Sequence, residues 1–196
     1  MNKERKAIVF ATNNKHKLAE INAIAGSQFH VISLEEAGFT GEIPETAPTI
    51  EGNALMKARY IFERVGTDCF ADDTGLEVES LNGAPGVYSA RYAGEHATYQ
   101  DNVLKLLDAL HGQTHRTARF RTVIVLIFDT KEFLFEGIVE GKIIEQPLGQ
   151  GGFGYDPVFV PDGYEKTFAE LAPEEKNSIS HRGKAMQKLL DFLKSV

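Results

Sequence analysis

The sequence predicts an α/β fold built around a mixed β-sheet, and three features lead to that expectation. An apolar strand followed by a helix opens the chain, a second helix leads into another short strand, and a long hairpin lies in the second half. Strands that alternate with helices favour parallel pairing, whereas a hairpin is antiparallel. The two patterns together indicate a mixed sheet with flanking helices.

The first βα unit is predicted near the N-terminus. Residues 7–11 read Ala-Ile-Val-Phe-Ala and form a buried strand, and Leu18, Ile21 and Ala25 recur at helical spacing. The polar segment from Thr12 to Lys17 joins the two elements.

The second helix is predicted between two capping residues. Thr49 is a suitable N-cap and Gly66 a suitable C-terminal stop. Cys69-Phe70-Ala71 follows as a short strand. The apolar residues at helical spacing are Ile50, Ala54, Ala58, Ile61 and Val65.

A third helix, a hairpin and a last helix complete the pattern. The third helix ends near Gly112 and carries Val103, Leu106, Leu107 and Leu110. Two strands, 120–128 and 133–144, are predicted to pair across the turn 129–132. After a glycine-rich stretch, residues 157–160 are extended. Ser180 is expected to cap a final helix with Ala185, Leu189 and Phe192 on one side.

Composition limits the class of protein. The chain has 196 residues, of which 42% are hydrophobic, so a single domain spanning 1–196 can bury a substantial core. The longest apolar run is 123–128, far short of the roughly 20 residues of a membrane helix, and no signal-peptide pattern is present. A cytoplasmic protein without membrane contact is therefore expected. Cys69 is expected to be a core residue rather than a reactive thiol.

The net charge of −7 argues against binding to long nucleic acids, which requires many cationic contacts to phosphates. A small anion could still be bound by cations gathered in one place. The candidates for that role are Lys15, Lys17, Lys176, His181 and Arg182.

The segment from Thr12 to Lys17 is a candidate phosphate site. It precedes a helix, where backbone N–H groups and the helix dipole favour anions. Asn14 and Lys17 could add side-chain donors. The segment is not a P-loop of the Walker A type, and an asparagine-rich turn with solvated lysines is the structural alternative. Its other members are Asn13, Lys15 and His16.

Asp72-Asp73-Thr74-Gly75 is a candidate Mg²⁺ site. It directly follows the apolar strand 69–71, which places two carboxylates where the chain is expected to turn. Mg²⁺ commonly binds through one or two acids together with substrate phosphates. Glu45, before the second helix, could add a ligand. The alternative is a turn with both acids in water.

Residues 149–154 read Gly-Gln-Gly-Gly-Phe-Gly and match the dinucleotide-binding string G-x-G-x-x-G. The context argues against that motif, because an extended segment rather than a helix follows. A loop that brings Phe153 over a base and Asp156 to its edge is the functional interpretation. A purely structural glycine turn is the alternative.

Lys176 and the residues Ser180-His181-Arg182 are predicted at the entry to the last helix, where the helix dipole disfavours cations. Cations there need an anion or a carbonyl-rich base, or a carboxylate from a neighbouring loop as the structural alternative. The remaining histidines show no metal-ligand spacing.

Together these motifs resemble the inosine triphosphate pyrophosphatase family, also called XTP/dITP diphosphatases. The resemblance covers nearly the whole chain in order. Asn13 stands where the family often has glycine, and Thr74 where serine is frequent. The segments that carry it are Thr12-x-Asn14-x-x-Lys17, Glu51-Gly52-Asn53-Ala54, Ala71-Asp72-Asp73-Thr74-Gly75, Pro85-Gly86-Val87-Tyr88-Ser89-Ala90-Arg91-Tyr92, Gly152-Phe153-Gly154-Tyr155-Asp156-Pro157 and Ser180-His181-Arg182-Gly183.

The resemblance implies a homodimeric enzyme with a long mixed sheet and two lobes that enclose a nucleotide cleft. It implies Mg²⁺-dependent hydrolysis of ITP, dITP and XTP to the monophosphate and pyrophosphate, with Asp73 as general base and metal ligand. Glu45 would be the second ligand, with Asp72 in support. The residues implied to contact the nucleotide are Thr12, Asn13, Asn14, Lys15, His16, Lys17, Thr74, Phe153, Gly154, Tyr155, Asp156, Lys176, His181 and Arg182.

Donors from Lys176, His181 or Arg182 would match the 6-oxo group of hypoxanthine and xanthine and reject the 6-amino group of adenine. Three other functions remain open at this point. They are a pyrophosphatase for other modified nucleotides, a nucleotide-binding regulator without catalysis, and an NAD-dependent oxidoreductase. The paired acids argue against the regulator and the misplaced glycines against the oxidoreductase.

Overall fold

A computed structural model describes residues 7–27 and 29–196. The β-strands are β1 (Ala7–Phe10), β2 (His30–Ile32), β3 (Cys69–Val78), β4 (Pro85–Gly86), β5 (Thr117–Phe128), β6 (Lys131–Ile143) and β7 (Phe159–Pro161). The α-helices are α1 (Lys15–Ala25), α2 (Ile50–Val65), α3 (Tyr99–Ala109), α4 (Pro173–Ile179) and α5 (His181–Ser195). Three short 3₁₀ turns, Glu79–Leu81, Ser89–Arg91 and Asp156–Val158, lie between them.

The strands form one mixed sheet in the order β2-β1-β3-β5-β6-β7, with β4 paired to β3. β1 pairs in parallel with β2 and with β3, whereas β4 lies antiparallel to β3 and β7 antiparallel to β6. The predicted mixed sheet with flanking helices is therefore confirmed.

The chain divides into two compact units. Within the described residues, unit 1 comprises 7–27, 29–73, 122–137 and 182–196, and unit 2 comprises 74–121 and 138–181. The enclosure of a nucleotide by two lobes stays a prediction. No helix within 7–27 and 29–196 has the length and apolarity to cross a membrane.

The core of unit 1 lies between its strands and the helices α1 and α5. Phe10 of β1 stacks on Phe70 of β3, with ring centroids 4.6 Å apart. Cys69 is buried, donates its thiol to the carbonyl of Ala58, and has a pKa raised to about 12 by burial. The thiol therefore stays protonated, as expected of a core residue. Other members of this core are Ile8, Ile21, Ala25, Leu126, Ala185, Leu189 and Leu193.

The core of unit 2 is aromatic at its centre. Phe120 of β5 lies 4.8 Å from Phe159 of β7, and Phe159 lies 5.2 Å from Phe168, measured between ring centroids. Leu106 of helix α3 and Leu110, which directly follows that helix, belong to the same core. These packed rings fix the position of the loop that follows β7.

Capping residues predicted from the sequence set the ends of α2. The Thr49 hydroxyl accepts a hydrogen bond from the Gly52 N–H, and Gly66 adopts the left-handed conformation with φ +69°.

The turn of the hairpin between β5 and β6 is shorter than predicted. It is Asp129-Thr130 alone, and both residues have positive φ, as the two-residue turn that matches strand twist requires.

Two expectations about element boundaries are wrong. β3 runs ten residues from Cys69, so Asp72 and Asp73 lie inside a strand and not at a turn. Leu76 and Glu77 pair with Gly86 and Pro85 of β4, so the strand continues past the acids. Lys176 lies in the separate helix α4, which begins at Pro173, and not at the entry to α5.

Candidate active site

The segment between β1 and α1 is a capped helix entry. The Asn14 side chain accepts hydrogen bonds from the N–H groups of His16 and Lys17, at 3.0 and 3.2 Å. The Thr12 hydroxyl accepts from the Asn14 N–H at 3.1 Å. Three of the backbone donors proposed for phosphate are thus used within the segment. Any anion there would depend more on side-chain cations than the sequence suggested.

The other members of this segment face outward. Asn13 is exposed, and its side-chain amide donates to the Gly41 carbonyl at 3.0 Å. Its φ is negative, so the conformation that glycine would favour is not required at this position. Lys15 and His16 are exposed. Lys17 points the opposite way, into a group of acids in unit 1 that we call the carboxylate cluster. Its members are Glu20, Glu45, Asp72 and Asp73 with their cationic partners.

Asp72 is held by two cations. Its side chain is 1% exposed, and its two oxygens lie 3.0 Å from Lys17 Nζ and 3.2 Å from Arg182 Nε. Arg182 also forms an ion pair with Glu20 of α1 through Nη1. Because Arg182 is itself only 2% exposed, the paired carboxylates are needed to keep its charge inside the protein.

Asp73 is held by two residues of α2. Its Oδ1 lies 3.2 Å from Lys57 Nζ, and its Oδ2 lies 3.4 Å from the Asn53 amide nitrogen. Lys57 also donates to Glu45 Oε1 at 2.6 Å. Two carboxylates from distant parts of the sequence therefore meet at one ammonium group.

The adjacent aspartates have opposite pKa shifts. Burial alone would raise the pKa of Asp72, but Lys17 and Arg182 hold it far below its usual range. At Asp73 burial prevails over the attraction of Lys57 and raises the pKa. Neighbouring acids whose environments separate their pKa values are typical of sites where one carboxylate stays charged and the other exchanges a proton.

The two lysines of the cluster also have opposite pKa shifts, and the pKa of Glu45 is lowered. Burial opposes the charge of Lys57, but Asp73 and Glu45 together raise its pKa. Burial lowers the pKa of Lys17 despite its contact with Asp72. For Glu45, burial raises the pKa, but Lys57 outweighs it and the pKa is lowered. Glu45 is therefore an anion at neutral pH.

The donor set suits Mg²⁺ that is shared with a substrate. Glu45 and Asp73 each place one oxygen on the same Lys57 ammonium, so both can face a common cation. Within the described residues there is no group of three or more His, Cys, Asp or Glu arranged to hold a metal. Two carboxylates with phosphate oxygens and water match the usual protein sites of Mg²⁺.

The candidate base-binding residues of unit 2 form a buried ion pair under an aromatic ring. Lys176 Nζ lies 2.6 Å from Asp156 Oδ2 and 5.2 Å from the centroid of Phe153. The same Asp156 oxygen accepts a hydrogen bond from the Phe153 N–H at 2.8 Å. Gly152 is required here because a Cβ on it would lie 2.0 Å from Asp156 Oδ2.

Two neighbouring residues are fixed by the core of unit 2. The His181 ring stacks on Phe120 at 4.6 Å and 13°. Tyr155 is buried, and its hydroxyl donates to the Ser89 carbonyl at 2.8 Å. The Tyr155 side chain thus belongs to the core, which restricts any nucleotide contact to its backbone. Gly154 has φ +64°, and Thr74 is half-buried in β3.

The glycine string does not open a helix. Residues 149–154 lead into the 3₁₀ turn Asp156–Val158 and then β7. This is the context that the sequence indicated, and it differs from the strand–glycine–helix order of a dinucleotide site.

Sequence reasoning missed Lys57, Asn53 and Glu20 in the carboxylate cluster of unit 1. A signal existed for the first two. Asn53 and Lys57 follow Ile50 at helical spacing and precede Ile61, so they interrupt the buried face of α2 with polar groups. A buried polar residue on an apolar face requires a partner.

Comparison with known proteins gives consistent matches over nearly the whole chain. The Ham1 family model matches residues 8–192. A dITP/XTP pyrophosphatase of Flavobacterium johnsoniae is 54% identical over 186 residues, covering 95% of this chain and 97% of that protein. The structure of the Staphylococcus aureus Ham1 protein aligns with a TM-score of 0.87 at 41% identity, over 97% of this chain and 99% of that one. A HAM1 protein from Coxiella burnetii gives 0.88 at 39%, again over 97% and 99%.

Proposed function

This chain belongs to the Ham1 family, and we propose that it is a nucleoside triphosphate pyrophosphatase acting on 6-oxo purine nucleotides. The substrates are dITP, XTP and ITP, and the products are the monophosphate and pyrophosphate. The relative named dITP/XTP pyrophosphatase supports this activity. The observation that carries the proposal is the adjacent pair of buried aspartates, one locked by cations and the other with a raised pKa.

Asp73 is the general base in this proposal. It accepts a proton from a water molecule whose oxygen forms a bond to the α-phosphorus. The bond from that phosphorus to the oxygen that bridges to the β-phosphate breaks, and pyrophosphate leaves with the electron pair. A raised carboxylate pKa makes Asp73 a stronger base than an ordinary aspartate, while its burial keeps it oriented.

Glu45 and Asp73 are the proposed Mg²⁺ ligands, with Asp72 in support. When bound, Mg²⁺ supplies positive charge that neutralises the phosphates and the leaving group. Lys17 donates to the phosphate chain next to Asp72, and Lys57 contacts both ligand carboxylates before substrate arrives. Asn13, Lys15 and His16 are exposed and provide further contacts to the triphosphate, and Thr12 and Asn14 shape the segment.

Base recognition is assigned to unit 2. Phe153 supplies a ring face, Lys176 supplies a donor for the 6-oxo group, and Asp156 orients Lys176. His181, fixed by its stacking on Phe120, supplies a second donor. Two nitrogens of Arg182 are committed to Glu20 and Asp72, so its contribution is chiefly to hold the carboxylate cluster. Thr74, Gly154 and the Tyr155 backbone complete the proposed nucleotide contacts.

The test is pyrophosphate release with Mg²⁺ from a panel of dITP, ITP, XTP, dGTP, dATP and dCTP. We expect stoichiometric pyrophosphate and monophosphate from the first three, with kcat/KM at least about 100-fold above that for dATP. Preference for a pyrimidine or another modified nucleotide would favour the alternative pyrophosphatase. Binding without turnover would favour a regulator, and orthophosphate as the first product would exclude cleavage at the α-phosphorus.

The proposed assembly is a homodimer that works in the cytoplasm as a single nucleotide-hydrolysing domain. The support for it is the family resemblance. Sedimentation equilibrium should give twice the chain mass, and a monomer mass at micromolar concentration would contradict this part of the proposal.

A further inference from the structure

We infer that Asn53 is a positioning residue that holds the backbone near Glu45 and the Asp73 carboxylate at a fixed distance from each other. We also infer that Gly52 is required for the close approach of Ala47 to α2. This inference rests on the proposed function, because its subject is the carboxylate pair that would hold Mg²⁺. It assigns a role to Gly52 and Asn53, which the proposed chemistry does not use.

Asn53 connects two parts of the site with the two ends of one amide. Its oxygen accepts a hydrogen bond from the Ala47 N–H at 2.9 Å, and its nitrogen lies 3.4 Å from Asp73 Oδ2. Ala47 is two residues from Glu45, so this bond fixes the backbone that carries the glutamate. Because Asn53 is only 1% exposed, water cannot replace either hydrogen bond unless the helix moves.

Gly52 allows the segment to approach the helix closely. A Cβ on Gly52 would lie 2.8 Å from Ala47 Cβ and 3.0 Å from Thr49 Oγ1. Alanine stabilises a helix interior by about 0.5–1 kcal/mol relative to glycine, so a glycine in the first turn of α2 runs against helix propensity. The contact with Ala47 gives a physical reason for it.

A second asparagine in the chain provides a control that distinguishes a positioning role from ordinary packing. Asn102 lies four residues after the N-cap Thr98 of α3, just as Asn53 lies four residues after Thr49 in α2. Its oxygen also accepts from a preceding backbone N–H, that of Ala93 at 2.7 Å, and it is 2% exposed. The difference is the nitrogen, which donates to the Ala90 carbonyl instead of a carboxylate. Asn102 is therefore a matched control for the structural part of the role.

The first experiment compares Asn53→Ala with Asn102→Ala. Binding of Mn²⁺ to the substrate-free protein is measured by electron paramagnetic resonance, with Tm recorded without metal and kcat and KM for dITP with Mg²⁺. Both variants should lose similar thermal stability. Asn53→Ala alone should weaken Mn²⁺ binding and lower kcat by about tenfold or more, as is usual for residues that orient metal ligands, with KM changed less than kcat.

The second experiment perturbs the same contact without touching Asn53. Gly52→Ala should weaken Mn²⁺ binding because its Cβ displaces Ala47, and Ala47→Gly in the same protein should restore most of the affinity. Equal Mn²⁺ affinity and kcat in wild type, Asn53→Ala and Asn102→Ala would overturn the inference, as would a double variant no better than Gly52→Ala. If Asp73→Asn binds Mn²⁺ as wild type does, the metal assignment of the proposed function fails and the inference falls with it.

Discussion

Asp72 and Asp73 are adjacent in β3, yet their carboxylates are held by different sets of cations. Asp72 contacts Lys17 and Arg182, and Asp73 contacts Lys57. Successive side chains of a strand point to opposite faces, so neighbouring acids can serve separate purposes. Asp72 neutralises buried cations, whereas Asp73 retains the raised pKa expected of a base.

The first prediction separates these purposes by substitution. Asp73→Asn keeps the shape of the side chain but removes the proton acceptor, so kcat for dITP should fall by about 100-fold or more. Asp72→Asn leaves Lys17 and Arg182 short of an anion and should destabilise the fold by roughly 3–5 kcal/mol, as breaking buried ion pairs does. Activity is measured by pyrophosphate release and stability by urea unfolding. If the Asp73→Asn variant kept the wild-type kcat, Asp73 could not be the general base.

The second prediction concerns stability and pH without metal. A carboxyl whose pKa is raised on folding adds stability at pH below its unfolded pKa of about 3.9, and this is lost as pH rises through the folded pKa. The pKa of Asp73 is raised, so its contribution to stability falls as pH rises. The pKa of Asp72 is lowered, so its contribution has the opposite pH dependence. In EDTA, the free energy of unfolding of Asp73→Asn relative to wild type should therefore rise between pH 4 and neutrality. A difference that is flat or falls over this window would contradict the raised pKa.

The third prediction concerns the choice of base. Lys176→Met removes the donor proposed for the 6-oxo group but leaves Asp156 buried without its ammonium partner. Adding Asp156→Asn removes that uncompensated charge. The double variant should fold and should lose about 100-fold or more in the ratio of kcat/KM for dITP to that for dATP. Lys176→Arg retains the charge and serves as the comparison. An unchanged ratio in the double variant would place selectivity elsewhere.

Capping residues and hydrophobic spacing predict α2 and the hairpin well, because those signals are local. Thr49 and Gly66 mark the helix ends in the sequence, and they do so in the structure. The length of β3 was not predictable in the same way. Its polar residues from Asp72 to Thr74 resemble a turn, and only the neighbouring strands and the ion pairs keep them in the sheet.

The candidate site likewise contains residues that could be predicted from the sequence and residues that could not. Asp73 and Glu45 were predicted from residue type and family resemblance, whereas Lys57 and Glu20 were not. Each is a common helix residue whose role depends on a partner far away in sequence, Asp73 for Lys57 and Arg182 for Glu20. α4 was missed because seven residues beginning at Pro173 carry too little apolar periodicity to stand out.

The last prediction uses two glycines of residues 149–155, the loop proposed to bind the base, that differ only in their surroundings. Gly152 has φ +69° and a Cβ there would lie 2.0 Å from Asp156 Oδ2, whereas Gly154 has φ +64° with nothing within 4 Å. Both alanine variants bear the same backbone strain, about 1–2 kcal/mol for a left-handed residue. Gly152→Ala must also displace Asp156 from Lys176 and from the Phe153 N–H.

Gly152→Ala should therefore lower kcat/KM for dITP by about tenfold or more beyond the effect of Gly154→Ala. The two variants should differ little in activity if the loop merely needs flexible backbone, because both positions lose the same conformational freedom. Kinetics with dITP and dATP, with Tm for each protein, decide between these outcomes. A larger loss in Gly152→Ala shows that the carboxylate position, rather than loop flexibility, determines how the base is held.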